Sequence, residues 1–97
     1  MATIRQQIIA LLRNEEVNAL EISQLLSIRE KEVYEHLDHI SRTLSSQGKR
    51  LLVRPYACMK CGFLFKDRHR FNRPGRCPRC KGGHISMASY HIEEQQT

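Results

Sequence analysis

Cys58-Met59-Lys60-Cys61 and Cys77-Pro78-Arg79-Cys80 decide how the second half of this chain folds. Each is a C-x2-C pair, and fifteen residues separate Cys61 from Cys77. A C-x2-C pair fits a tight turn that aims two sulfurs at one point, and four thiolates at ~2.3 Å complete a tetrahedron around one Zn²⁺. Gly62 and the run Lys81-Gly82-Gly83 follow the two pairs and offer the backbone freedom such turns need. Phe63-Leu64-Phe65, Ile85 to Met87 and Tyr90 to Ile92 read as short strands around the two turns. The expectation is a zinc ribbon over residues 55–92, with Cys58, Cys61, Cys77 and Cys80 holding one structural ion. Four protein ligands close the coordination sphere, so catalysis at an open metal position is not expected.

Other chemistries also use cysteine pairs. Disulfides are disfavoured in a reducing compartment. A redox C-x2-C site needs one pair rather than two. Iron is the remaining alternative, since Cys77-Pro78-Arg79-Cys80 is similar to a rubredoxin knuckle.

Between the two pairs runs Lys66-Asp67-Arg68-His69-Arg70-Phe71-Asn72-Arg73-Pro74-Gly75-Arg76, five bases against one acid. Arg79 and Lys81 extend this cationic stretch, and Lys49, Arg50 and Arg54 lie at its approach. Clustered arginines suit bidentate phosphate contact, so Arg68, Arg70, Arg73, Arg76 and Arg79, with Lys49 and Arg50, are candidate nucleic-acid contacts. Without base-edge geometry they supply affinity rather than sequence choice. A solvated charged loop is the plainer alternative.

Upstream the pattern changes to helical spacing. Ile4, Ile8, Leu11 and Leu12 share a face, with Thr3 and Gln6 placed as a capping box and Asn14 as a left-handed stop. Asn18 and Glu21 mark a second start, before the stripe Ala19, Ile22, Leu25 and Leu26. After a turn at Ser27-Ile28, Val33, Leu37, Ile40 and Leu44 define a third helix from Arg29 or Glu30 to about Ser46, with Gly48 as its stop. Three helices, the second short and tightly joined to the third, predict a helix-turn-helix. Arg50 to Arg54 is a candidate wing strand. The fold class expected is α+β: a winged helix-turn-helix at 1–54, the ribbon at 55–92 and a flexible tail at 93–97. The third helix would present Arg29, Lys31 and Tyr34 to a groove, although it carries Arg29, Lys31 and Arg42 against Glu30, Glu32, Glu35 and Asp38. Small three-helix units also dock on proteins, and their stripes look the same.

Charge divides the chain at the same place. Residues 1–48 have net charge −2 and residues 49–97 have +8, within a total of +6 over 97 residues. A bound zinc tetrathiolate carries −2, which leaves the second half strongly cationic. No run approaches the ~20 apolar residues of a membrane helix. Met1 to Arg5 lacks a basic segment followed by an apolar block, so a cytoplasmic location without membrane association is expected. His36 and His39, at i and i+3, are a second arrangement able to share a metal. His69, His84 and His91 are not needed beside four thiolates, and Met59 and Met87 read as packing residues. No Ser-His-Asp set, phosphate-binding glycine loop or dinucleotide turn occurs, so the chain is read as non-catalytic.

The helical segment, then Gly48-Lys49-Arg50-Leu51, then Cys58-Met59-Lys60-Cys61-Gly62-Phe63-Leu64-Phe65-Lys66-Asp67-Arg68, then Pro74 to Cys80, resembles a known family. It is the small prokaryotic, largely archaeal, group of predicted transcriptional regulators that fuse a helix-turn-helix domain to a zinc ribbon. The resemblance covers nearly the whole chain and implies a DNA-binding regulator with structural zinc. Double-stranded DNA is then the expected partner, bound by one chain or by a homodimer. The alternative is an adaptor whose helical lobe docks on a protein of the transcription or translation machinery while the ribbon binds RNA or a single strand. A rubredoxin-like electron carrier is the third reading.

Overall fold

The computed structural model describes residues 2–66 and 70–93. Arg68 and His69, and the part of the expected tail at 94–97, lie outside them. Elements follow in the order α1 (Ile4–Asn14), β1 (Val17–Asn18), α2 (Ala19–Leu26), α3 (Glu30–Ser46), β2 (Arg50–Arg54), β3 (Ala57–Cys58), β4 (Ile85–Ser86) and β5 (Ser89–Glu93).

Local hydrogen bonds start the first two helices. Thr3 accepts from the Gln6 amide at 3.1 Å, while Gln6 accepts from the Thr3 amide at 2.9 Å. Asn18 and Glu21 repeat the pattern at 2.8 and 3.0 Å. Each box satisfies amides that the first helical turn would leave open. Asn14 does not adopt the left-handed turn expected of it; its side chain donates back to the Ala10 carbonyl, and α1 ends at an extended Glu15. The left-handed residue comes instead between α2 and α3, at Ser27 (φ 54°). Gly48, at φ 74°, ends α3, a position where any side chain is strained.

The helices pack through the faces their spacing predicts. Ile8, Leu12, Ile22, Val33, Leu37, Ile40 and Leu44 are buried together, each contributing ~2 kcal/mol of apolar burial. The other wall of this core is a three-stranded sheet of order β1-β5-β2. β5 lies in the middle, antiparallel to both neighbours, with Tyr90 opposite Val17 and also opposite Val53. Alternation along β5 turns Tyr90 and Ile92 into the core. Tyr90 to Ile92, expected as a strand around the cysteine turns, thus closes the sheet of the helical segment. Glu93, expected to open the tail, pairs with Arg50.

Residues 55–88 therefore leave the sheet at β2 and return to it at β5. They contain the cysteine turns and a small β3-β4 ladder, with Ala57 opposite Ser86 and Cys58 opposite Ile85. Phe63-Leu64-Phe65 makes a single bridge, Leu64 to Ala57, rather than a strand. Met59, expected to pack, is 62% exposed, whereas Met87 packs against the core.

Candidate functional site

The two cysteine turns are built alike. In the first, the Gly62 amide donates to the Cys58 carbonyl at 2.9 Å, with Gly62 left-handed at φ 80°. In the second, the Lys81 amide donates to the Cys77 carbonyl at 2.9 Å, with Lys81 left-handed at φ 65°. The left-handed residue of the second turn is thus the lysine and not either glycine after it. Gly82 serves a different purpose: a Cβ there would lie 3.3 Å from the Cys80 sulfur. The Cys58 amide donates to the Phe63 carbonyl and the Cys77 amide to the Gly82 carbonyl, each closing its own turn at 2.8 Å, and the Met59 amide donates to the His84 carbonyl at 2.8 Å, which ties the first turn to the residue before β4.

All four sulfurs lie within 4.8 Å of one another. Cys58 to Cys80 and Cys61 to Cys77 are each 3.5 Å apart. A zinc tetrathiolate needs sulfurs roughly 3.8 Å apart, while a disulfide needs ~2.0 Å. The cluster therefore fits one zinc ion and not two disulfides. Its electrostatics agree. The Cys61 amide, with that of Lys60, holds the Cys58 thiol down at about 6 against the cost of burial. Burial pushes Cys77 up, but the amides of Cys80 and Arg79, at 3.5 and 3.4 Å from its sulfur, leave it below the ordinary thiol value. Cys61 takes the opposite course: the Phe63 amide lowers it, but burial and its three sulfur neighbours raise it to about 11. A dication removes that conflict by holding all four as thiolates. Among the described residues this is the one group of three or more potential metal ligands. His36 and His39 do not form a second, and the buried Nδ1 of His36 has no partner among the described residues.

The cationic residues fall into three groups. Arg29, Lys31, Arg50, Arg70, Arg76 and Arg79 are exposed. Lys49 is half-buried and engaged in an interaction. Arg73 does not stand free: its Nε and Nη2 donate to the two carboxylate oxygens of Glu30 at 2.6 and 2.8 Å. Glu30 opens α3, so this fork joins the basic loop to the leading turn of that helix. The Tyr34 hydroxyl also donates to Glu30, which leaves Tyr34 half-buried rather than turned outward. Tyr56 completes the joint by donating to the Phe71 carbonyl at 2.6 Å. Arg73 holds the Glu30 carboxyl below its ordinary range, with Tyr34 assisting and burial opposing. Burial and the bond to Glu30 raise Tyr34 and keep it protonated.

Sequence reasoning named Arg73 only as a phosphate contact and missed Glu30 as its partner. The signal available was the acidic opening of the third helix (Glu30, Glu32, Glu35) set against an arginine-rich loop in the same chain.

Two family models match the chain. Residues 3–52 match the model described as "PF0610-like, N-terminal", and residues 55–95 match "PF0610 rubredoxin-like zinc beta-ribbon domain". The fold is similar to the solution structure of protein PF0610 from Pyrococcus furiosus, with TM-score 0.82 and 34% identity over 95% of this chain and 90% of that one. No curated protein matches the chain.

Proposed function

This chain belongs to the PF0610-like family, with its rubredoxin-like zinc ribbon, and from that premise we propose that it is a non-catalytic DNA-binding transcription regulator. The helical segment acts as a winged helix-turn-helix. The order α1-β1-α2-α3-β2, closed by β5 between β1 and β2, supports this reading, with residues 55–88 standing where a wing would be. Arg29 and Lys31 at the start of α3 approach the groove, and Tyr34 supports them from behind through Glu30. Arg50, Arg70, Arg76 and Arg79 grip phosphate. Zinc, when bound, supplies a closed tetrathiolate that holds the ribbon together.

The observation that carries this reading is the joint between Arg73 and Glu30, which sets the cationic ribbon beside the leading turn of α3. A duplex lying along α3 then meets the ribbon's arginines as well. Selection of bound sequences from a random duplex pool with zinc-loaded protein tests it: enrichment of a short motif supports the regulator, and binding without any enrichment refutes it.

A second reading has its own support. Glu30, Glu32, Glu35 and Asp38 make α3 a poor match for phosphate, and Glu30 is already committed. On that basis the chain is an adaptor, with the ribbon on RNA or a single strand and α3 in a protein contact. Salt-titrated binding to duplex, single strand and structured RNA separates the two readings.

A further inference from the structure

A cleft of about 450 Å³ opens where the sheet meets the ribbon. Tyr56, Phe65, Phe71 and Tyr90 are in its lining, the two tyrosines buried and the two phenylalanines half-buried, together with the exposed Lys66 and Arg70. Phe71 meets Tyr90 edge-on, with ring centroids 5.8 Å apart and ring planes at 62°. The volume is that of a small-molecule site, which ordinarily runs ~300–1,000 Å³. The two cations are exposed and make no salt bridge among the described residues. Among the described lining residues Lys66 and Arg70 are the charged ones, and both are cationic. Aromatic walls select a flat ring by edge and face contact, and the cations select a negative charge attached to it.

We propose that this cleft is a binding site for a small flat aromatic anion, such as an aromatic carboxylate, with its ring among the aromatic walls and its charge at Lys66 and Arg70. The proposal goes beyond nucleic-acid binding and holds whether or not the chain binds DNA. It also gives the site a route to α3. Phe71 belongs to the wall, its carbonyl accepts from Tyr56, and Arg73, two residues on, holds Glu30. An occupant pressing on Phe71 acts on the joint between ribbon and helix.

The test is an amide-resolved NMR titration of zinc-loaded protein with three probes: naphthalene-2-carboxylate, naphthalene-2-methanol and cyclohexanecarboxylate. The carboxylate of the flat ring should bind saturably, with shifts centred on Tyr56, Phe65, Phe71, Ala88 and Tyr90 and extending to Glu30. The neutral alcohol and the non-planar acid should each bind at least about tenfold more weakly, a difference of ~1.4 kcal/mol. The double variant Lys66→Gln, Arg70→Gln should lose the preference for the charged ring and leave the weak binding of the alcohol unchanged. Equal binding of acid and alcohol, shifts scattered over the cationic surface, or unaltered affinity in the double variant would overturn the assignment. So would displacement of the probe by a short single strand when free aromatic acids do not compete, which would give the cleft to nucleic acid.

Discussion

Replacing Glu30 by Gln removes the charge that Arg73 holds while keeping the shape of the side chain. In the native protein the pair is a two-pronged fork at 2.6 and 2.8 Å, with Arg73 50% exposed and Glu30 26% exposed. Half-exposed pairs are screened by water, and most are worth under ~1 kcal/mol. Fork geometry and the Tyr34 hydroxyl on the same carboxylate place this one near the upper end, at about 1 kcal/mol. A loss of that size lowers the melting temperature of a chain this long by roughly 4–8 °C. The assay is thermal unfolding by circular dichroism, with excess zinc throughout, for wild type, Glu30→Gln, Arg73→Gln and the double variant. The cycle should return a coupling of about 1 kcal/mol at low salt that shrinks at high ionic strength. The pH dependence has a definite sign. Arg73 depresses the folded-state pKa of Glu30 below its ordinary 4.5, so the stabilisation is complete above that value and is lost as pH falls through the folded-state value. Either single variant breaks the joint that sets the ribbon beside the leading turn of α3, and each should therefore weaken duplex binding. Coupling indistinguishable from zero at low salt and neutral pH would refute the joint.

Three further outcomes follow from the structure. Chelating the zinc should lower the melting of the helical signal by roughly 12–24 °C, because residues 55–88 close the β2-β5 pairing and an untied loop of that length costs ~3 kcal/mol to close; independent melting of the helices would contradict this. Tyr90→Phe should be neutral or raise stability by up to ~1 kcal/mol in denaturant unfolding, since it removes a buried hydroxyl that has no partner among the described residues. Gly62→Ala should weaken zinc binding about tenfold in competition with a chelating dye, since a φ of 80° costs a side chain ~1–2 kcal/mol.

What could be read from the sequence was what is held locally. The capping boxes at Thr3 and Asn18 join residues three apart, and the cysteine turns close over four. Such contacts leave their spacing in the chain. The third helix was legible because Val33, Leu37, Ile40 and Leu44 repeat one face. β1 was not, because two residues carry no period. The place of β5 was equally hidden: its alternation marks a strand, but its partners Val17 and Val53 are far away in sequence and on either side. Lys81 holds a left-handed turn that composition assigns to the adjacent glycines, because the turn's register is set by the Cys77 carbonyl. The four metal ligands were fully legible from spacing. The cationic surface was legible only as charge, because pairing decides which charges stay free, and the Arg73–Glu30 pair spans 43 residues.

The most direct test of the proposed function is the salt dependence of duplex binding by zinc-loaded protein, compared with an Arg76→Gln, Arg79→Gln variant. Both arginines are exposed and neither makes the bond to Glu30, and the cysteines that hold the turn remain. Each phosphate contact contributes about −0.9 to the slope of log affinity against log salt. The slope should be shallower by about 1.8 in the variant, with melting temperature and zinc content unchanged. Identical slopes for the two proteins would contradict this, since Arg76 and Arg79 would then grip no phosphate.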